Sequence, residues 1–342
     1  MSRVRILDDT LRDGMHAWSH KLAPEHMATL AAALDTTGVD AIEFGHGNGM
    51  GGASFQYGFS AASDEAYLKA VSAVVKRARM AMIMLPGIGT AETLETARKY
   101  GVQIARIATQ ITENDIAEQH IKMASEMGFE VRAVLPAAKP ISVAETVACA
   151  QKSERYGASV VYLLDGSGYM VPHEVFDRVS AMRRELDIEI GFHGHNNLQL
   201  AVANSLAAIE AGATHVDCCL RGFGAGAGNC PTETLAAVCR RLGYETGVDL
   251  FTVMDVAEKD LEPRMPGPIT FSNDAIMLGY AGTYSSFLLF ARRAGERYGV
   301  DPREIINQIG LRGCTEGQED LCIEIAHALA HGTLPAAKEA TP

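Results

Sequence analysis

Apolar and polar positions alternate along this chain in two rhythms. Short, almost wholly apolar runs occur at residues 4–7, 41–44, 81–85, 104–108, 130–135, 160–164, 189–192 and 215–219. Their length and composition fit strands buried on both faces. Between them, at 24–34, 64–79, 91–100, 113–127, 142–156, 172–186, 198–211 and 232–242, apolar residues recur with helical period. Several of these stretches close on glycine, at Gly101, Gly128, Gly157, Gly212 and Gly243, as a left-handed helix terminus favours. Eight strand–helix units in a row predict a closed (β/α)8 TIM barrel over residues 1–245. The rival, a doubly wound open sheet, usually has fewer units, and no GxGxxG follows the first strand.

The alternation stops after Gly243. Residues 249–331 carry only helical period and predict a C-terminal all-helical domain, with Pro263, Pro266 and Pro268 in an irregular connector. The last stretch, 332–342, reads as a frayed, flexible tail.

Composition narrows the function classes. The chain has 342 residues, 47% of them hydrophobic and 21% charged, within the ordinary range for a globular protein. A net charge of −12 disfavours nucleic acid and anionic membranes as partners. No apolar run approaches the roughly 20 residues that span a bilayer. Seven cysteines without CxxC spacing read as reduced thiols, and the expected location is cytoplasmic.

In a TIM barrel the chemistry lies just after each strand. The seventh strand is followed by His193-Gly194-His195. Residues two apart on a strand share a face, so both imidazoles aim at one point, as a divalent metal requires. After the first strand come Arg12, Asp13 and His16. Asp13 completes a set of two imidazoles and one carboxylate that leaves positions open for substrate. Mn²⁺, Mg²⁺, Co²⁺ and Zn²⁺ all suit such nitrogen and oxygen ligands. Arg12 is placed to stabilise an oxyanion, and His16 is a candidate general base. His20, His26, His120, His173, His327 and His331 are taken as exposed loop or surface histidines. His46 lies in a Gly-rich loop after the second strand. The loop Gly224–Gly228 reads as a mobile cover or an anion cradle. Tyr280 and Tyr284, in the helical part, could reach over the barrel mouth.

These residues form a pattern. Asp8-x-Thr10-Leu11-Arg12-Asp13-Gly14, His193-x-His195 and Gly224-Ala225-Gly226-Ala227-Gly228-Asn229 resemble the DRE-TIM metallolyase superfamily. Within it the chain looks most like the 4-hydroxy-2-oxovalerate aldolases. Shared stretches are Leu11 to His16, Ser54 to Phe59, Leu85 to Thr90, Leu278 to Phe287 and Gly317 to Asp320. The likeness runs nearly end to end.

The resemblance implies a metal-dependent lyase, a class II pyruvate aldolase of aromatic-hydrocarbon catabolism. It would cleave a 4-hydroxy-2-oxo acid reversibly to pyruvate and an aldehyde. Asp13, His193 and His195 would hold the ion, with Mn²⁺ the first expectation. The metal would act as a Lewis acid on pyruvate enolate, Arg12 would hold the enolate oxygen, and His16 would deprotonate the C4 hydroxyl. Gly166, Ser167, His193 and Tyr284 would join Arg12 in contacting substrate, with Tyr284 on the aldehyde side. Asp8, Glu43 and Asn229 are expected to stand behind them. A CoA-acylating aldehyde dehydrogenase is the implied partner, met through the helical domain, which would also cover the site. An oligomer is expected.

The chain departs from the family's pattern in substrate-facing loops. Gly166-Ser167 stands where a Ser-Gly or Ser-Ala pair is usual. Gln110 and Ile111 replace His and Cys, Asn114 replaces Ala, Pro136-Ala137-Ala138-Lys139 replaces a Met-Met-x-His stretch, and Asn48 replaces Asp. Lys139 could meet an additional carboxylate on a substrate. An aldolase with a different aldehyde acceptor, a Claisen-type acyl-CoA synthase or lyase of the same superfamily, and a non-enzymatic stabiliser of a dehydrogenase are the rival readings.

Overall fold

The computed structural model of the chain describes residues 3–137, 141–269, 271–315 and 317–334. Lys139 and residues 335–342 of the expected tail lie outside them. Parallel strands β1 (Arg5–Leu11), β2 (Ala41–Phe44), β3 (Arg79–Met84), β4 (Ile104–Ala108), β5 (Glu130–Ala137), β6 (Val160–Asp165), β7 (Glu189–Gly194) and β8 (His215–Cys218) pair in sequence order. The barrel closes where β1 pairs with β8, Arg5 opposite His215 and Asp8 opposite Cys218.

Helices return the chain between strands. After the short α1 (Gly14–Ala17) come α2 (Pro24–Leu34), α3 (Asp64–Val74), α4 (Ala91–Lys99), α5 (Glu118–Glu126), α6 (Val143–Tyr156), α7 (Pro172–Glu185), α8 (Ala201–Glu210) and α9 (Thr232–Leu242). Local chemistry starts and stops them. Ser142 accepts from the Glu145 amide while the Glu145 carboxylate accepts from Ser142, a capping box opening α6. The stretch expected as one helix from residue 113 begins instead as a 3-10 segment, Ile111–Ala117, kinked at Glu113. Its bend carries Asn114 inward, where Nδ2 donates to Ser153 and to the Cys149 carbonyl.

The helices expected from residue 249 divide between two cores. Val253 and Val256 of α10 (Leu250–Val256), with Ala257 and Leu261, pack into the barrel's core. Four further helices, α11 (Asn273–Ala281), α12 (Phe287–Tyr298), α13 (Pro302–Arg312) and α14 (Leu321–Ala330), enclose a separate core of Leu278, Phe287, Ile305, Ile306, Ile309 and Ile325. No helix among the described residues is long and apolar enough to cross a membrane.

The bore of the barrel is filled by charge as well as by alkyl groups. Arg106 of β4 reaches both Glu43 of β2 and Asp217 of β8. Those strands are not neighbours, so the contacts run through the interior. All three side chains are fully buried. Buried charges persist only when paired, and this layer is the floor on which the site is built.

Candidate active site

The C-terminal ends of β1, β2, β7 and β8 converge above that floor. The pairing of β1 with β2 shifts register between Asp8 and Leu11, and the chain then turns into α1, carrying Arg12, Asp13 and His16. Arg12 is almost wholly buried and acts as a hub. Nε donates to Glu43 at 2.9 Å, Nη1 to Asp13 at 2.7 Å and weakly to the Gly47 carbonyl, and Nη2 to Asp9. Burial opposes its charge, but Asp9, Glu43 and Asp13 outweigh burial and hold it cationic. A guanidinium has five N–H donors, so one remains for a substrate oxygen.

Asp13 is clamped from the far end of the barrel sequence. Its Oδ2 accepts from the Ala225 amide at 2.9 Å and from Asn229 Nδ2 at 2.7 Å. The loop 224–229 thus cradles an anion belonging to the protein itself. A Cβ at Gly224 would lie 2.5 Å from both Asp13 Oδ2 and Asn229 Nδ2, so this approach requires glycine there. Burial would raise the Asp13 pKa, but Arg12, His195, His16 and His193 together draw it well below the usual carboxylate range.

His193 and His195 meet edge to face, ring centroids 5.1 Å apart, as expected for one face of an extended segment. Nδ1 of His193 faces Asp217 Oδ2 at 3.1 Å. This leaves Nε2 of His193 buried without a partner, and Nδ1 of His195 is buried in the same condition. Burial chiefly, opposed by Asp13, lowers the His195 pKa to about 4, so its ring is neutral and able to ligate at pH 7.

A second set of donors lies just below. Asp9, His193 and Asp217 bring ligand atoms within 4.8 Å of one another, enough to hold a metal ion. There Asp9 Oδ2 is already bound by Arg12 and Asp217 Oδ2 by Arg106. Desolvation and the neighbouring Glu43 and Asp13 overcome Arg12 and raise the Asp9 pKa well above normal. Glu43 is lowered, since Arg106 and Arg12 overcome its burial. Four carboxyl groups, Asp9, Asp13, Glu43 and Asp217, thus face two guanidiniums, Arg12 and Arg106. This excess of acidic groups beside two imidazoles suits a divalent cation.

His16 borders the cavity and is backed by two more imidazoles. His20 lies edge-on to it at 5.1 Å and stacks on His46 at 3.8 Å. The expectation of an exposed His20 is overturned: it is 5% exposed. Ser19 and His20 both adopt positive φ, 50° and 60°, which turns His20 under His16. Burial lowers the His16 pKa, Asp13 opposing and Arg12 reinforcing.

The cavity above these groups has a volume of about 390 Å³ and is bordered by His16, Asn48, Gly166, His195 and Tyr284 among others. A larger cleft of about 630 Å³, between Arg221, Glu262 and Met265, contains neither His16 nor His195 in its walls. Tyr284 reaches the cavity from the helices, whereas Tyr280 is 72% exposed and faces solvent. Ser167 is buried, its carbonyl accepting from Asn197 Nδ2. Glu43 and Asn229 touch Arg12 and Asp13 as expected of supporting residues. Asp8 instead accepts from Thr232 and the Thr10 amide, joining β1 to α9.

Comparison with known proteins supplies the family. Residues 3–259 match the HMGL-like family and residues 269–331 the DmpG-like communication domain. A 4-hydroxy-2-oxovalerate aldolase of Desulfitobacterium hafniense is 61% identical over 96% of this chain and 99% of its own length. One from Pseudomonas putida is 49% identical over 96% and 95%. Among solved structures, the carboxyl transferase domain of Rhizobium etli pyruvate carboxylase superposes with a TM-score of 0.81 at 15% identity, over 98% of this chain and 61% of that one. The HMG-CoA lyase of Brucella melitensis superposes with 0.67 at 17% identity, over 78% and 100%. These two likenesses concern the fold alone. By its full-length sequence relatives and both of its matched segments, the chain belongs to the 4-hydroxy-2-oxovalerate aldolase family of the DRE-TIM metallolyases.

Proposed function

We propose that this protein is a divalent-metal-dependent lyase that reversibly cleaves a 4-hydroxy-2-oxo acid, 4-hydroxy-2-oxovalerate or a close variant, to pyruvate and an aldehyde. The observation that carries the reading is the convergence, at the C-terminal ends of β1 and β7, of a cationic Arg12, an ionised Asp13, a neutral His16 and two imidazoles with unpartnered ring nitrogens.

Asp13, His193 and His195 would hold the ion, which would supply Lewis-acid polarisation of the 2-oxo group. The alternative set with Asp9 and Asp217 would place a cation against two guanidiniums, Arg12 and Arg106, whereas Asp13 meets Arg12 alone. In the cleavage direction His16 removes the C4 hydroxyl proton. The C3–C4 bond breaks, the aldehyde carbonyl forms, and the bond's electron pair moves toward C2, where Arg12 holds the developing oxyanion with its remaining N–H. Protonation at C3 gives pyruvate. Burial keeps His16 in the basic form at neutral pH.

Manganese is the ion proposed, and helices α11–α14 the surface that meets a CoA-acylating aldehyde dehydrogenase, a reading supported by the match to a communication domain. All seven cysteines are free thiols, in keeping with a cytoplasmic enzyme.

The test is pyruvate release from a panel of 4-hydroxy-2-oxo acids after chelation and re-addition of Mn²⁺, Mg²⁺, Co²⁺ or Zn²⁺, alongside Asp13→Asn. Metal-dependent release that the variant lacks is expected. No pyruvate from any substrate, or an equally active variant, overturns the reading.

A further inference from the structure

His16 stands in the short helix α1 beside the cavity, and a column of imidazoles lies behind it. His46 is the base of the column. It is fully buried, and both ring nitrogens are engaged: Nδ1 accepts from the Asn48 amide at 3.0 Å, and Nε2 lies 3.0 Å from the Gly58 carbonyl oxygen. An amide N–H can only donate and a carbonyl can only accept, so the Nε2–H tautomer satisfies both bonds. His20 stacks on this fixed ring, 12° from parallel, and meets the His16 ring at 72°. Its own place is set by backbone bonds. The Gly47 amide approaches His20 Nδ1 weakly, at 3.4 Å, and the His20 carbonyl accepts from the Ala61 amide at 3.0 Å.

Two further features show that the column is enforced. Ser19 and His20 are consecutive residues at positive φ, unfavourable for any side chain with a Cβ. Such strain persists only where the surrounding contacts over-determine it. Gly47 has no positive φ, yet a Cβ there would lie 2.6 Å from His16 Nε2 and 2.7 Å from His20 Cε1. The bare Cα answers to the two rings and not to a left-handed turn. His16 borders the cavity, whereas His20 and His46 do not. Any effect of His20 on the chemistry therefore passes through His16.

We propose that His20 is a positioning residue for the base: seated on His46, it holds the His16 ring at the angle from which that ring meets the C4 hydroxyl, and it takes no part in proton exchange at C3. The helix that carries His16 is only four residues long, so the ring's orientation is left to the groups packed against it. A reacting group misplaced by about 1 Å loses on the order of a hundredfold in rate. The proposal rests on the aldolase reading above and deepens it by assigning what aims the base.

The experiment measures kcat and KM for cleavage of 4-hydroxy-2-oxovalerate, together with metal-dependent exchange of the C3 protons of pyruvate in D2O, which involves no C4 hydroxyl. His20→Ala is expected to lower the cleavage kcat at least about tenfold while KM and the exchange rate stay within about twofold of wild type. In a His16→Ala background the same substitution is expected to change kcat by less than about twofold, since a residue that acts through His16 then has nothing to act on. Gly47→Ala, whose methyl would displace both rings, is expected to give the same split and serves should His20→Ala fail to fold. An unmoved kcat in the folded variants, a parallel fall in exchange, or a fall that persists undiminished in the His16→Ala background overturns the proposal. If the wild-type protein cleaves and exchanges while any of these holds, the positioning role alone fails. A wild-type protein that does neither sinks the aldolase reading with it.

Discussion

Asp217 Oδ2 and His193 Nδ1 lie 3.1 Å apart, and the same carboxylate is gripped by Arg106. The pairing fixes the imidazole tautomer: Nδ1 carries the proton, and the buried, unpartnered Nε2 keeps a lone pair. In the proposed site this ligand would be aimed from below, by groups outside the set that would hold the ion.

Replacing Asp217 with Asn leaves the size unchanged but weakens that hold. Metal affinity is expected to fall about 10–100-fold, the usual effect of losing a carboxylate behind a ligating histidine. Competition with a fluorescent chelator measures it. Affinity equal to that of the wild-type protein would show that His193 is oriented by other contacts.

Arg106 ties Glu43 and Asp217 across the bore. Arg106→Met leaves both buried carboxylates without that cation and is expected to cost about 3–5 kcal/mol of unfolding free energy. Urea denaturation at pH 7 reads the loss. A change within about 0.5 kcal/mol, the range of an ordinary surface substitution, would show that the network rearranges.

Burial holds the His16 pKa below its ordinary value. The basic form then survives as the solution is acidified, so the acid limb of kcat/KM should fall below the usual imidazole value of about 6.5. His16→Ala should lower turnover by about 10²–10⁴ and remove that limb. A limb at or above 6.5 that persists in the variant would assign the titration elsewhere.

His215, in β8, is fully buried, and its pKa is lowered to about 2 by burial first and then by Arg132, Arg5 and Arg79. The unfolded chain would protonate this residue near 6.5. A depressed folded value means that its contribution is present above 6.5 and is lost as pH falls toward the folded value. Between pH 6.5 and 4.5 the wild-type protein should therefore lose on the order of 1 kcal/mol per pH unit through this group. His215→Gln should flatten that slope in paired urea titrations at the two values. An unchanged slope would place the acid sensitivity on other groups.

The barrel was legible because a buried parallel strand must be apolar along its length and a helix packed on it must be amphipathic, so the two rhythms alternate. Arg12, Asp13, His16, His193 and His195 were legible because unlike chemistry clustered after strands. Asp9, Arg106 and Asp217 were missed. Each carries a charge within a strand, and the readable signal was the intrusion itself, as in Ile104-Ala105-Arg106-Ile107-Ala108, since a charge in such a run demands a buried partner. His20 was misplaced because its burial depends on two unfavourable backbone conformations that no periodicity announces. Tyr284, part of the helical core, meets Gly166 just after β6, and a single sequence carries no record of such a pairing.

The clamp on Asp13 is supplied by residues 212 and 216 positions downstream. A ribosome releases the carboxylate early and the groups that seat it late. Until β8 docks on β1, the growing chain exposes scattered donors and no assembled site. A product truncated before Asn229 lacks half of that clamp, and ring closure is the event that assembles it.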